Sequence, residues 1–223
     1  MSFSLPVTVT FFLDVISSWC WWTEPTWVEL KRRYSGRVQF DWRIALMQGD
    51  SIPPSRAQAE WFYRRSGTVT RSPYRLNAGW LEPGRFEYLV PNLAAEAARD
   101  LGITDDRARL AVAEAAVRNG SEVTRWDVSI AAVAAATGLD AELLHARALT
   151  PEVEERIRAS TAEFHSLKVN QRPTFLIENN IGDRAVLSGL ITVEPLASII
   201  DAMMADSAAY ASFAAQFGEP PQT

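Results

Sequence analysis

Residues 7–13 (VTVTFFL) are β-branched and aromatic with partial alternation, and Pro6 and Asp14 bound them, which is the pattern of a strand. Ser17 and Ser18 follow with helix-start chemistry, because a short hydroxyl accepts a hydrogen bond from an unpaired first-turn N–H. The spacing then predicts a helix over residues 19–34, with Pro25 as a kink or restart and Gly36 just beyond its end. A second strand is expected over residues 38–47, with Val38, Phe40, Trp42 and Ile44 on one face.

From Gln48 the pattern changes. Pro53-Pro54, Gly67, Pro73, Gly79 and Pro83-Gly84 punctuate a stretch that carries Trp61, Phe62, Tyr63, Tyr74, Trp80, Phe86 and Tyr88. Ala-rich helical spacing follows over residues 91–101, 104–119, 123–137 and 140–148, with Gly102, Gly120 and Gly138 at C-cap positions. Thr150-Pro151-Glu152 opens a further helix to about residue 167, with Pro at its first position and acids in its first turn. β character returns at residues 174–178 and 185–188 around an Asn/Gly turn, a hairpin signal, and a last helix is expected over residues 193–206.

The order is β-α-β, a helical block, α, then β-β-α. An opening βαβ unit and a closing ββα unit can share one mixed sheet, so the expectation is an α/β protein of the thioredoxin fold with a large all-helical insertion. Residues 1–49 and 150–206 would form the thioredoxin-like domain. Residues 50–149 would be the helical lid, and residues 207–223 a C-terminal tail.

Composition narrows the function classes. The chain has 223 residues, of which 48% are hydrophobic and 22% charged, enough for a sizeable core. Its net charge of -5 comes without a basic run, which argues against a nucleic-acid partner. No segment has the ~18–20 uninterrupted apolar residues of a membrane helix, and no basic n-region or cleavage site precedes the first strand. One cysteine, Cys20, forms no intramolecular disulfide, so a cytoplasmic location is expected. No cluster has metal-ligand spacing, and His145 and His165 lie far in sequence from the Ser17 turn.

The run Asp14-Val15-Ile16-Ser17-Ser18-Trp19-Cys20, together with Arg172-Pro173-Thr174-Phe175 and Ser188-Gly189, resembles the DsbA-like branch of the thioredoxin superfamily. That branch includes FrnE-type proteins, hydroxychromene-carboxylate isomerases and kappa-class glutathione transferases. The resemblance extends from Val7 to about Met204. Ser17 stands where FrnE-like proteins have the first cysteine of Cys-Pro-Trp-Cys, and Ser18 stands at the proline, while Trp19 and Cys20 match. The transferases and isomerases carry a serine at the Ser17 position that hydrogen-bonds the sulfur of glutathione. Their Gly-Ser-Asp-Arg run for the γ-glutamyl group reads Gly189-Leu190-Ile191-Thr192 here.

The resemblance implies a cis bond before Pro173, which would leave the Arg172 main chain free to pair with a ligand. It also implies thiol-binding positions at Ser18, Trp19, Arg172, Pro173 and Thr174. At a helix N-terminus a thiolate is favoured, but a serine hydroxyl is too weak an acid to replace it without a base. Ser17 is therefore either a donor to a sulfur or oxyanion brought by a ligand, or a plain N-cap. Cys20 is either a small buried apolar residue or a monothiol that forms mixed disulfides if exposed. Arg172 is either a carboxylate ligand or an ordinary exposed loop arginine. The aromatic set Trp19, Trp21, Trp22, Trp61, Phe62, Trp80 and Tyr88 either lines a pocket between sheet and lid or, for most of it, is core, with Trp19 the best candidate for a pocket wall.

The function expected first is an isomerase or transferase that uses glutathione or another small thiol on a small substrate. A monothiol oxidoreductase acting through Cys20 and a non-catalytic binding protein are the alternatives. A homodimer is compatible with each.

Overall fold

The computed structural model describes residues 5–218. Four strands form one mixed sheet in the order β2-β1-β3-β4. Strand β1 (Val7–Leu13) runs parallel to β2 (Gln39–Ile44) and antiparallel to β3 (Thr174–Asn179), which pairs in turn with β4 (Arg184–Ser188). Phe11 thus sits between Trp42 and Phe175, with its ring stacked on Phe175 at 5.0 Å.

The near-continuous apolar run of β1 follows from burial on both faces. Phe11 packs beside Trp27 of α1 (Ser18–Arg33), and Phe12 packs on the other face beside Phe164 of a later helix. Helix α1 runs through Pro25 as one element.

Helices α2 (Arg56–Val69), α3 (Leu89–Asp100), α4 (Arg107–Ala113), α5 (Trp126–Thr137) and α6 (Ala141–Ala148) follow β2. Helix α7 (Pro151–Ser166), which carries Phe164, leads back to β3, and α8 (Val193–Phe217) closes the chain.

Four expectations from the pattern are corrected. Gly67 and the flanking prolines hide α2, which starts at Ser55 as N-cap and accommodates Gly67 without a close neighbour. Within the helical insertion, residues 70–88 are largely irregular. The helix expected from residue 104 begins at Arg107, because Asp105 bonds the Arg107 N–H in a turn. That helix also gives way to a π-helical turn at Glu114–Arg118.

The last correction concerns the terminus. Helix α8 continues to Phe217, eleven residues past the end expected at 206. Ser207 is its last buried residue, but the Ala-rich sequence beyond has enough helix propensity to carry the backbone onward. The proline-rich end of the expected tail lies outside the described residues. No helix among those described is long and apolar enough to cross a membrane.

An ion cluster fastens α4 to α1. Arg109, 2% exposed, bridges Glu24 (2.5 and 3.0 Å) and Asp106 (2.8 and 3.0 Å). Lys31 and the Trp27 indole N–H also reach Asp106. Arg109→Met leaves both carboxylates without their shared fork. The expected loss is about 3 kcal/mol of unfolding free energy, the low end for a buried pair because both acids keep some water contact. Urea denaturation of the two proteins checks it.

Candidate functional site

The site is built at the end of β1, where the chain must turn out of a central strand into a helix without leaving buried N–H groups unpaired. Asp14 solves this. It is fully buried, and its Oδ1 accepts from Ile16 N (3.1 Å) and Asn92 Nδ2 (3.0 Å), while Oδ2 accepts from Met47 N (2.7 Å). Its main-chain oxygen accepts from Ser17 N at 3.0 Å, and Asn92 Oδ1 takes the Val15 N–H. Burial pushes the Asp14 carboxyl above its ordinary value, and the Met47, Asn92 and Ile16 donors, with the Arg172 charge, pull it back.

Ser17 is the N-cap of α1, with extended backbone (φ -77°, ψ 120°), and its hydroxyl accepts from Cys20 N at a long 3.4 Å. The N–H groups of Ser18 and Trp19 have no partner among the described residues, and the first turn of α1 carries no acid. A hydroxyl and two unpaired N–H groups at the N-terminus of a sixteen-residue helix form a donor set suited to an anion or a polarisable sulfur.

Cys20 lies one turn deeper, 3% exposed and part of the main apolar core. Burial pushes its thiol up to about 12 from the ordinary 9.0, against the Ser17 hydrogen bond and the Asp14 main chain. At neutral pH the thiol form therefore dominates. The exposure that a monothiol role requires is missing, and the reading of Cys20 as a catalytic residue is corrected to a small core residue.

The opposite wall is the segment before β3. The Arg172–Pro173 peptide bond is cis. The Arg172 N–H and C=O make no main-chain hydrogen bond among the described residues, while Pro173 O accepts from Gly189 N at 2.8 Å. Thr174 is fully buried and its hydroxyl joins Gln171 O (2.7 Å) and Ser188 Oγ (3.0 Å), so it braces the loop and offers nothing to a ligand.

Arg172 corrects both readings of it. It is 9% exposed, donates through Nε to Ala45 O and through Nη2 to Leu46 O, and lies 4.5 Å over the Phe164 ring. The side chain pins the cis-proline loop to the end of β2. It is neither a free loop arginine nor an available carboxylate ligand.

Between these walls lies a cleft of about 400 Å³, floored by Ser17 and bounded by Trp19, Met47, Asn170, Gln171 and Leu190. A second compartment of about 380 Å³ adjoins it, sharing Ser17, Trp19 and Met47 and lined also by Ile52, Phe62, Tyr63, Trp80 and Phe86. Ser18 borders this second compartment. Arg65 of α2 borders both, its guanidinium 5.9 Å from the Trp19 ring, 5.2 Å from Trp61 and 4.9 Å from Phe62. No carboxylate pairs with it among the described residues, so it is the cation the site offers a ligand.

Sequence reasoning missed Arg65, and it missed Asn92 as the partner of Asp14. The signal for Arg65 was a basic pair, Arg64-Arg65, directly after the aromatic run 61–63, obscured because α2 itself was not recognised. Neither histidine lines the cleft, and no group of three His, Cys, Asp or Glu side chains among the described residues is placed to hold a metal ion.

A family model described as DSBA-like thioredoxin domain matches residues 8–201. No curated protein matches the sequence. A proposed protein disulfide isomerase from Nitrosomonas europaea has a similar structure, with a TM-score of 0.75 at 17% identity, covering 91% of this chain and 99% of that one. The cytosolic disulfide reductase DsbM from Pseudomonas aeruginosa has a TM-score of 0.68 at 18% identity, covering 92% and 99%. DsbM has also been solved with GSH, and that structure has a TM-score of 0.66 at 17% identity over 92% and 99% of the two chains. At these identities the likeness to solved structures shows the fold.

Two outcomes follow from this geometry. Native Cys20 is expected to react with a disulfide reagent roughly 10³-fold more slowly than in denaturant at the same pH. Because burial disfavours its thiolate, the native rate keeps climbing above pH 9, toward about pH 12, where the denatured rate has already levelled. Stopped-flow thiol titration reads both. Asp14→Asn turns an NH₂ toward one of the three donors and costs about 1–3 kcal/mol in urea unfolding.

Proposed function

The chain belongs to the DSBA-like thioredoxin domain family, and on that premise we propose that it is a thiol-dependent isomerase or transferase that borrows its sulfur from glutathione or another small thiol. One observation carries the reading. Ser17 and two unpaired N–H groups stand as donors at the mouth of α1, while the only thiol of the chain is shut in the core.

The residues present fit half of glutathione well. The Ser17 hydroxyl and the unpaired Ser18 and Trp19 N–H groups are the donors a bound sulfur would use, and the Arg172 main chain beside cis-Pro173 makes no main-chain hydrogen bond and would pair with a peptide-like backbone. Arg65 offers a carboxylate its partner. The γ-glutamyl end has no counterpart on the last-helix side, where Leu190, 39% exposed, forms an apolar wall. Asn170 and Gln171 supply polar groups on the loop side instead. The DsbM structure with GSH is support from a relative of the same fold.

A bound thiol supplies the nucleophile. The chain does the rest. The α1 N-terminus favours the anionic form of the sulfur, and Ser17 donates a hydrogen bond that holds it in place. The aromatic compartment takes a small substrate and excludes water from it, with Trp19 as the shared wall. A cytoplasmic setting accords with this reading, because thiols are kept reduced there.

Calorimetry with reduced glutathione and with a smaller thiol tests the proposal. Saturable binding is expected, lost by tenfold or more in Ser17→Ala. With an activated aryl halide as acceptor, Ser17→Ala is expected to lower kcat by about 10²–10³-fold. Arg65→Gln should raise KM with kcat little changed. Absence of any thiol binding, or turnover indifferent to Ser17→Ala, overturns the proposal and leaves a non-catalytic binding protein.

A further inference from the structure

Most cations of this chain end on a carboxylate. Those between residues 56 and 75, on α2 and the first part of the loop after it, do not. Arg56, Arg64, Arg65, Arg71 and Arg75 face a single acid, Glu60, within a chain of net charge -5, and none of the five forms an ion pair among the described residues. Arg56 is spent on Leu81 O and Gly79 O, and Arg65 belongs to the cleft.

Arg71 lines a different groove, beside Trp21, Trp22 and Tyr74; Arg64 and Arg75 remain, and the fold brings Arg118 to them. The three line a separate pocket of about 340 Å³, with Tyr63 as the wall toward the cleft and Asn77 and Glu60 also at its border. The Arg118 guanidinium is stacked 3.5 Å from the centre of the Tyr74 ring, and its Nη1 donates to Arg75 O at 3.4 Å.

The frame beneath is rigid. Asn77 N donates to Val117 O at 2.8 Å and Asn77 Nδ2 to Asn119 O at 3.3 Å. Gly79 and Gly120 approach so closely that a Cβ on Gly79 would lie 2.7 Å from Gly120 O. Arg118 ends the π-helical turn Glu114–Arg118, where Asn119 N bonds back to Glu114 O. Such a turn shifts the side chains after it out of α-helical register and is frequent at functional sites. Here it sets Arg118 against the Arg75 loop.

We propose that this pocket binds a small phosphate-bearing ligand, independently of the thiol cleft. Three guanidinium groups and one carboxylate leave a local charge of +2, which a phosphate dianion balances at neutral pH. The three arginines come from separate segments, α2, the loop after it and the π-helical turn, and planar guanidinium forks suit the terminal oxygens of a phosphate.

Titration calorimetry on the full chain at low salt tests this with inorganic phosphate and phenyl phosphate. One saturable site is expected, weakened about tenfold by Arg75→Gln or Arg118→Gln and unchanged by Arg65→Gln. Arg64→Gln, an exposed change on α2, should show the same loss and keeps the test decisive if the Arg118 variant disturbs Tyr74. Tighter binding of phenyl phosphate identifies an organic ester as the ligand class, and equal binding identifies inorganic phosphate. No saturable binding, or binding lost only in Arg65→Gln, overturns the proposal.

Discussion

A buried carboxylate is the constraint on which this site rests. Asp14 ends the central strand, and its side-chain and main-chain oxygens together satisfy Ile16, Ser17, Met47 and Asn92. Those partners come from the turn, the segment after β2 and helix α3, so one side chain joins the sheet edge, the helix start and the inserted helices. Its desolvation is costly unless every lone pair is used. That cost is what fixes the turn: a chain path that withdrew any of the three donors would leave charge unpaired in the core.

The chemistry of Ser17 and Cys20 follows from depth along the same turn. Ser17 sits at the mouth of α1, where unpaired N–H groups favour negative charge. Cys20 sits three residues on, where the helix has already turned inward and the surroundings are apolar. A hydroxyl in place of a thiol at the mouth removes the nucleophile but not the field that would stabilise one. The field is then available to a sulfur from outside. The same burial that silences Cys20 also makes it a good packing residue, which explains a cysteine that need take no part in the chemistry.

The parts of this fold that alternate or carry start and stop chemistry were legible in the chain. Strands β1 to β4, the Ser17 cap and the Pro151 start read correctly because local pattern and tertiary role agree there. Helix α2 did not, since Gly67 and the surrounding prolines obey turn statistics while packing and the Ser55 cap select a helix. The end of α8 was misjudged for the opposite reason: the buried pattern stops at Ser207 but the propensity of the alanines does not. Arg172 was beyond sequence reasoning. Its guanidinium finds the Ala45 and Leu46 carbonyls only because the cis-proline loop and the end of β2 converge, and nothing local announces that meeting.

The unrecognised helix turns out to be the one that gives the site its charge. Successive residues on an α-helix point about 100° apart, so the adjacent pair Arg64-Arg65 cannot serve one surface. Arg65 faces Trp19 and the Ser17 cleft, and Arg64 faces Arg75 and Arg118 across the Tyr63 wall. Trp22 holds Ser66 through its indole N–H, and Trp21 holds Tyr74, so α1 fixes the rotation of α2 and the loop that follows. The aromatic residues after Ser17 therefore act twice. Trp19 is a wall of the cleft, while Trp21 and Trp22 orient the element that brings a cation to each pocket. Cationic residues left without carboxylate partners, in a chain that pairs most of its others, are what the two proposed sites have in common.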